Sequence, residues 1–195
     1  MKPYFDTSHV AGALILVAVL CWAAIEAAHL DNSRREATRV GGAGRRFAVS
    51  PFLIAASAAL YLAPPLIPAA AIRPAAAAFA IGFVILLTGL VLRGWSIKTL
   101  GAYFTASVKV STDQPVITAG PYRVLRHPSY TGLLLAMTGI GVASANWAGA
   151  AGMTVLTLAG ILWRIHAEER ALLTTLGAPY RAYAEQHKRL VPLVW

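Results

Sequence analysis

A single cysteine, Cys21, stands among 195 residues, so an intrachain disulfide is impossible, and thiol pairs or cysteine-rich metal sites are excluded. Cys21 lies within an apolar run and reads as a small core residue. Charge is scarce as well: only 13% of the residues are Asp, Glu, Lys or Arg, where a soluble globular domain carries about a quarter. Acids are scarcest, 8 against 17 Lys and Arg, for a formal net charge of +9. This excess does not point to nucleic acid, because the basic residues flank apolar spans and are not gathered in a soluble basic domain with interleaved aromatics. With 57% hydrophobic residues and a mean hydropathy of +0.61, the expected solvent is lipid. Arg34-Arg35 and Arg45-Arg46 bracket the first polar loop, where anionic headgroups are their natural partners.

Five apolar runs follow one another. Val10 to Ala28 spans 19 residues, close to the ~20 that cross a hydrocarbon core as helix. Only Lys2 precedes it as a positive charge and an Arg-rich loop follows, so it is expected to be a retained span and not a cleaved signal peptide. Phe47 to Leu62 is the second, ending near Pro64-Pro65 and Pro68, which remove backbone donors and clash with the preceding turn. Ala75 to Trp95 is the third, with Arg93 near its far end placed to snorkel, and spans two and three are expected to form a hairpin. Ser129 to Ala143 and Trp147 to Trp163, joined only by Ser144-Ala145-Asn146, predict a tight helical hairpin. Glycines in both arms, such as Gly132, Gly139, Gly152 and Gly160, would allow close approach within it.

Neither glycine-rich stretch reads as a nucleotide cradle. Gly139-Ile140-Gly141 lies inside an apolar helix, and Gly41-Gly42-Ala43-Gly44 has no strand before it and no Lys-Ser/Thr pair after it. Of the 17 basic residues, five spans place Lys2 and Arg73 on one side and the other fifteen opposite. By the positive-inside rule the N-terminus is then outside and the C-terminus cytoplasmic. Segments 96 to 128 and 164 to 195 fall on the same cytoplasmic face and can form one site. The fold expected is all-α: a single membrane domain over 1–195, with three spans in 1–95 and a catalytic part in 96–195. In the latter, hairpin 129–163 precedes a surface-lying C-terminal segment broken at Gly177-Ala178-Pro179.

The polar chemistry is concentrated in Gly120-Pro121-Tyr122 and Arg126-His127-Pro128-Ser129-Tyr130, answered by Arg164 and Glu168-Glu169. Pro128 suits the first position of a helix, which leaves His127 at the cap and free amide donors at a positive dipole end. Arg126 adds charge, and Tyr122 and Tyr130 offer aromatic walls and hydroxyls, a set suited to adenine plus a carboxylate. A spacing of four puts Arg164 and Glu168 on one helical face, which the hairpin returns close to His127 and Tyr130; His166 points elsewhere. The plainer reading is an interfacial belt of Arg, His and Tyr that anchors helices and binds nothing. The acids facing this cluster across the hairpin favour a site.

Together with Asn146-Trp147 and Leu176-Gly177-Ala178-Pro179-Tyr180, these motifs resemble, in order and spacing, the isoprenylcysteine carboxyl methyltransferases and their relatives the phospholipid methyltransferases, over about residues 90 to 195. The resemblance implies methyl transfer from S-adenosylmethionine, with S-adenosylhomocysteine as product, in a cytoplasmic pocket roofed by the C-terminal segment. It implies cofactor contacts at Tyr122, Arg126, His127, Pro128, Ser129, Tyr130 and Glu168, with Val116 and Ile117 as a backbone stretch before them and Arg164 on the acceptor side. Ser111-Thr112-Asp113-Gln114-Pro115 departs from the eukaryotic pattern, and the choice of Glu168 over Glu169 rests on counting back from Gly177. No metal is required. The expected partners are a lipophilic small-molecule or lipid acceptor and the membrane itself, in a bacterial inner membrane. An isoprenylcysteine-type carboxylate leads, with a phospholipid amine or a lipophilic thiol as alternatives. From another class, a small transporter or lipid-binding protein would need charges in mid-span, where spans two, four and five have none.

Overall fold

Apolar runs punctuated by proline and glycine dictate helices of defined length, and the computed structural model describes residues 2–40, 49–104 and 114–192. Gly41-Gly42-Ala43-Gly44, Arg45-Arg46 and Ser111-Thr112-Asp113 lie outside these residues, as do 193–195. Short α1 (Tyr4–Thr7) is followed by α2 (His9–Val40), α3 (Ser50–Leu66), α4 (Ala75–Leu100), α5 (Pro128–Ala143), α6 (Trp147–Leu176) and α7 (Ala178–Gln186). Single 3₁₀ turns cover Pro68–Ala70, Gly101–Tyr103 and Gly120–Arg123. Among the described residues there is no strand, only isolated bridges pairing Ala71 with Asn146 and Leu125 with Lys188.

Two elements run past the apolar stretches that announce them. α2 continues to Val40, so Arg34-Arg35 is helical and does not begin a loop. α6 continues to Leu176 through Arg164, Glu168 and Glu169, because straight-chain and alanine residues after Trp163 keep helix propensity high. It stops at Gly177, whose φ of 60° and ψ of −127° favour glycine. α3 ends after Pro64-Pro65, within a turn of the expected stop.

The packing order departs from the chain order. α4 lies along α5, α5 along α6, and α6 along α3, while α3 and α4 share no extended contact. The expected hairpin of spans two and three is therefore absent: the proline-rich connection separates its arms, and the α5–α6 pair stands between them. The glycines follow the same rule. Gly82 and Gly89 of α4 face Gly139 and Gly132 of α5 so closely that a Cβ at any of the four would strike the opposite backbone; at Gly132 it would lie 2.7 Å from the Arg93 nitrogen. Gly152 and Gly160 of α6 pack against Ala59 and Phe52 of α3. Gly141, against Ala150, serves the α5–α6 hairpin itself.

One end of the bundle is knitted by backbone. Tyr4 N–H donates to Ser144 O at 3.1 Å and Ile72 N–H to Ala145 O at 2.8 Å. Asn146 caps α6 by accepting from Gly149 N–H at 3.0 Å and donates to Ile67 O at 3.2 Å. The N-terminal segment, the α3–α4 connection and the α5–α6 turn thus share one end, and the polar cluster lies at the other. α4 and α6 are long and apolar enough to cross a membrane; His9–Ala24, α3 and α5 are shorter apolar helices. Outward faces remain apolar: on α4, Ile81, Val84, Val91 and Trp95 are exposed at helical spacing, opposite Leu86 and Arg93. Such a stripe suits lipid more than water. Cys21 is likewise exposed and is not the core residue its apolar setting suggests.

Because the α4–α5 seam has no room for a methyl group, Gly89→Ala is expected to cost about 1–3 kcal/mol of stability, whereas Gly101→Ala, where an added Cβ meets nothing but φ is 56°, costs about 1 kcal/mol. Unfolding of detergent-solubilised variants measures both. Equal, negligible losses would contradict the tight seam.

Candidate functional site

His127 immediately precedes α5 and makes no side-chain capping bond, and Pro128, with no N–H to lose, occupies the first helical position as expected. The stretch before the helix is fixed from outside. Arg126 N–H donates to Lys188 O at 2.7 Å and His127 N–H to Arg189 O at 3.0 Å, so the segment after α7 runs alongside the motif. The Tyr183 hydroxyl, buried on α7, lies 2.8 Å from Tyr122 O and 3.1 Å from Leu125 O, both acceptors for its single proton. Burial pushes the Tyr183 phenol up to about 12 against the pull of Arg126. It also raises Tyr122 well above the usual tyrosine value, with Glu168 adding to the shift. Both phenols are therefore neutral donors near pH 7, not phenolate bases.

The two adjacent acids of α6 do different things. Glu168 accepts from the Tyr130 hydroxyl at 2.6 Å, and that hydroxyl in turn accepts from Arg164 Nε at 2.6 Å. Tyr130 thus bridges an acid and a base that sit one helical turn apart on α6. Glu169 is buried and faces two arginines and a histidine: Arg126 Nη1 at 2.7 Å, Arg189 at 2.9 to 3.2 Å through Nε and Nη2, and His127 Nε2 at 3.3 Å. Close, hydrogen-bonded charge pairs of this kind are what make a buried carboxylate tolerable.

The residues named from the sequence come together unevenly. Arg126, His127, Pro128, Ser129, Tyr130, Arg164 and Glu168 converge around the start of α5; Tyr122 is buried beside them in the 3₁₀ turn, and His166 is exposed. Val116 and Ile117 are half-buried in the irregular stretch leading to that turn. Sequence reasoning underrated Glu169, Arg189 and Tyr183, which build the wall around the motif. Arg93 does not snorkel: it is 7% exposed, with Nη1 donating to Ser129 O at 3.1 Å and Ser129 Oγ at 3.0 Å. The signals were an acid beside the chosen one and a lone arginine in an apolar helix. Among the described residues three buried side-chain polar atoms have no hydrogen-bond partner, and two of them, Arg126 Nε and the Tyr180 hydroxyl, are donors beside the motif of the kind a bound anion satisfies.

The division between the acids is testable. Glu169→Gln strands the Arg126 and Arg189 guanidinium groups and is expected to lose about 3–5 kcal/mol of folding stability, whereas Glu168→Gln, which leaves Tyr130 a neutral acceptor, loses about 1 kcal/mol. Denaturant unfolding in micelles distinguishes them, and equal losses would contradict the assignment.

Residues 80–174 match the model of the isoprenylcysteine carboxyl methyltransferase family. Protein-S-isoprenylcysteine O-methyltransferase A of Arabidopsis thaliana is 33% identical over 115 residues, covering 58% of this chain and 58% of that protein. The Tribolium castaneum enzyme of the same name is 31% identical over 116 residues, covering 58% of this chain and 41% of its own length. The solved eukaryotic intramembrane Ras methyltransferase superposes with a TM-score of 0.62 at 26% identity, over 74% of this chain and 52% of that one. The chain thus spans little more than half the length of the plant relative and of the solved enzyme. The matched segment holds the α4–α5 seam, the Arg126 to Tyr130 motif and the Arg164 and Glu168 pair, and it is there that this chain is similar to the isoprenylcysteine carboxyl methyltransferase family.

Proposed function

We propose that this chain is a membrane-embedded methyltransferase that moves a methyl group from S-adenosylmethionine to the carboxylate of a lipophilic, isoprenylcysteine-type acceptor. The observation that carries this reading is the Tyr130 hydroxyl, which ties Arg164 and Glu168 together beside the amide-rich start of α5. The O-methyltransferase relatives supply the reaction type. In this reading Tyr122, Arg126, His127, Pro128, Ser129, Tyr130 and Glu168 hold the methyl donor, with Val116 and Ile117 before them. The unpartnered donors Arg126 Nε and Tyr180 O–H fit a ligand with an anionic end, and Glu168 fits its ammonium.

The donor's sulfonium supplies an activated methyl with its own leaving group. The protein's tasks are then alignment and exclusion of water. Arg164, buried and hydrogen-bonded through Nε to Tyr130, is fixed in direction and suited to hold an acceptor carboxylate. A carboxylate needs no deprotonation. An amine acceptor does, and the one histidine at the site, His127, has its Nε2 engaged by Glu169 at 3.3 Å. This favours the acid over the amine.

Topology belongs to the same proposal. Five crossings, with the N-terminus outside and the C-terminus cytoplasmic in a bacterial inner membrane, agree with the clustering of alternate helix ends and with the fifteen basic residues on one side. The division into three N-terminal spans over 1–95 and a catalytic part over 96–195 follows from it, with α7 and the segment to Leu190 roofing the cofactor end.

Calorimetry of S-adenosylmethionine and S-adenosylhomocysteine binding to the detergent-purified chain tests the reading. Glu168→Ala is expected to weaken binding at least about tenfold, the equivalent of one charged hydrogen bond. Arg164→Ala is expected to keep affinity within about threefold yet lower methyl transfer to a prenylcysteine analogue by about 10²–10³. A folded parent that binds neither ligand would overturn the assignment and return the transporter or lipid-binding reading.

A further inference from the structure

Arg93 sits on α4 with its side chain only 9% exposed, among apolar helices where an unpaired cation is costly. Four parts of the chain meet around its guanidinium. Nε donates to Glu26 of α2 at 2.5 Å, and Glu26 also accepts from Trp22 Nε1 at 3.0 Å. Nη1 donates to both Ser129 O and Ser129 Oγ, at 3.1 and 3.0 Å. The Phe104 ring lies 5.9 Å from the guanidinium carbon. No arginine at this depth is needed merely to join α4 to α5, since the glycine seam already brings their backbones together.

The chemistry at Ser129 gives the pairing a purpose. A helical serine commonly donates its hydroxyl to the carbonyl four residues back, as Ser96 does to Leu92 O at 2.7 Å. For Ser129 that carbonyl is Leu125 O, which the Tyr183 hydroxyl already approaches at 3.1 Å. By accepting from Arg93, Ser129 Oγ keeps its own proton for donation elsewhere, and the residue is 5% exposed in the first turn of α5. The fork geometry of the guanidinium fixes the direction of both bonds, which an ammonium cannot do. Glu26, in turn, fixes the plane of the fork.

We infer that Arg93, oriented by Glu26, is a positioning residue for the methyl-donor end of the site: it holds Ser129 as a directed hydroxyl donor and so makes α2 part of that site. This rests on the proposed methyl-donor role of Ser129. Glu26 lies outside residues 80–174, the segment that matches the family, so the donor site of this chain includes a determinant beyond the matched region. The interaction operates through Ser129, and neither Arg93 nor Glu26 needs to touch the reacting atoms.

The test is a coupled set of variants of the full chain in detergent, each assayed for S-adenosylmethionine affinity by calorimetry, for donor KM and kcat, and for its unfolding midpoint without ligand. Arg93→Lys retains a cation opposite Glu26 but loses the fork. It is expected to raise donor Kd and KM about tenfold, as loss of a charged hydrogen bond would, with kcat at saturating donor within about twofold. Ser129→Ala is expected to do the same, and adding Arg93→Lys to Ser129→Ala is expected to change nothing further. Glu26→Gln should follow Arg93→Lys, and Glu26→Asp should recover part of the affinity. If Arg93→Lys or Glu26→Gln unfolds the protein, Trp22→Phe, which removes one indole donor from Glu26, decides the matter, with about a threefold rise in donor Kd expected. Parent-like binding by Arg93→Lys and Trp22→Phe while Glu168→Ala binds weakly would overturn this inference and leave the proposed function standing. Full additivity of Arg93→Lys and Ser129→Ala would also overturn it, since the role would then be structural. Absence of donor binding by the folded parent would remove both.

Discussion

A carboxylate withdrawn from water must be matched by donors, and much of the polar end of this molecule is arranged to meet that demand at Glu169. The acid projects from α6, while its three partners come from two places in the sequence: Arg126 and His127 before α5, and Arg189 after α7. Satisfying one buried charge therefore fixes the start of α5 against α6 and draws the C-terminal segment across both. The two backbone bonds from Arg126 and His127 to Lys188 and Arg189 form along the path this pairing sets. Tyr183, which reaches Tyr122 and Leu125 carbonyls, closes the same wall from α7. Glu168, one residue earlier on the helix, is rotated away from that pairing, toward Tyr130 and Arg164.

At the opposite level of the structure, close backbone contact does what charge does at the mouth. Gly82 and Gly89 on α4 repeat at seven residues, as do Gly132 and Gly139 on α5, two helical turns in each case, so one seam is maintained along both helices. Its end nearest the polar cluster is where Gly132 meets the backbone of Arg93, and one turn further on Arg93 meets Ser129. The seam thereby delivers a rigid spacing between a buried cation and the motif.

What the sequence made legible was local. The five apolar runs, the break at Gly177, Pro128 at the start of α5 and the three-residue connection Ser144-Ala145-Asn146 all follow from short-range rules of proline, glycine and hydropathy. The nearness of Tyr130 to Arg164 and Glu168 was legible for the same reason, since a tight hairpin leaves its two arms few ways to face each other. Lateral order among helices was not legible. Nothing in the composition of α3 or α4 says that the glycines of α5 answer α4 and those of α6 answer α3, because small residues mark a close approach without naming the partner. Arg93 was misplaced on similar grounds: a cation near a helix end looks the same in sequence whether it reaches for the interface or for Glu26. Glu169 was hidden behind its neighbour, because adjacent acids differ by about 100° around a helix and only the surrounding arginines decide which one is buried.

The separation of α3 from α4 carries a consequence for how the molecule assembles. These neighbours in the chain end up at opposite flanks of the α5–α6 pair, with α3 waiting for the glycines of α6 and α4 for those of α5. During synthesis both emerge before the helices whose glycines they pack against. α3 must therefore wait for α6 and α4 for α5, with the Glu26 contact from α2 already on hand to meet Arg93 of α4. The last hairpin then arrives as a wedge, and its insertion between two waiting helices is the event that joins them into one packed bundle.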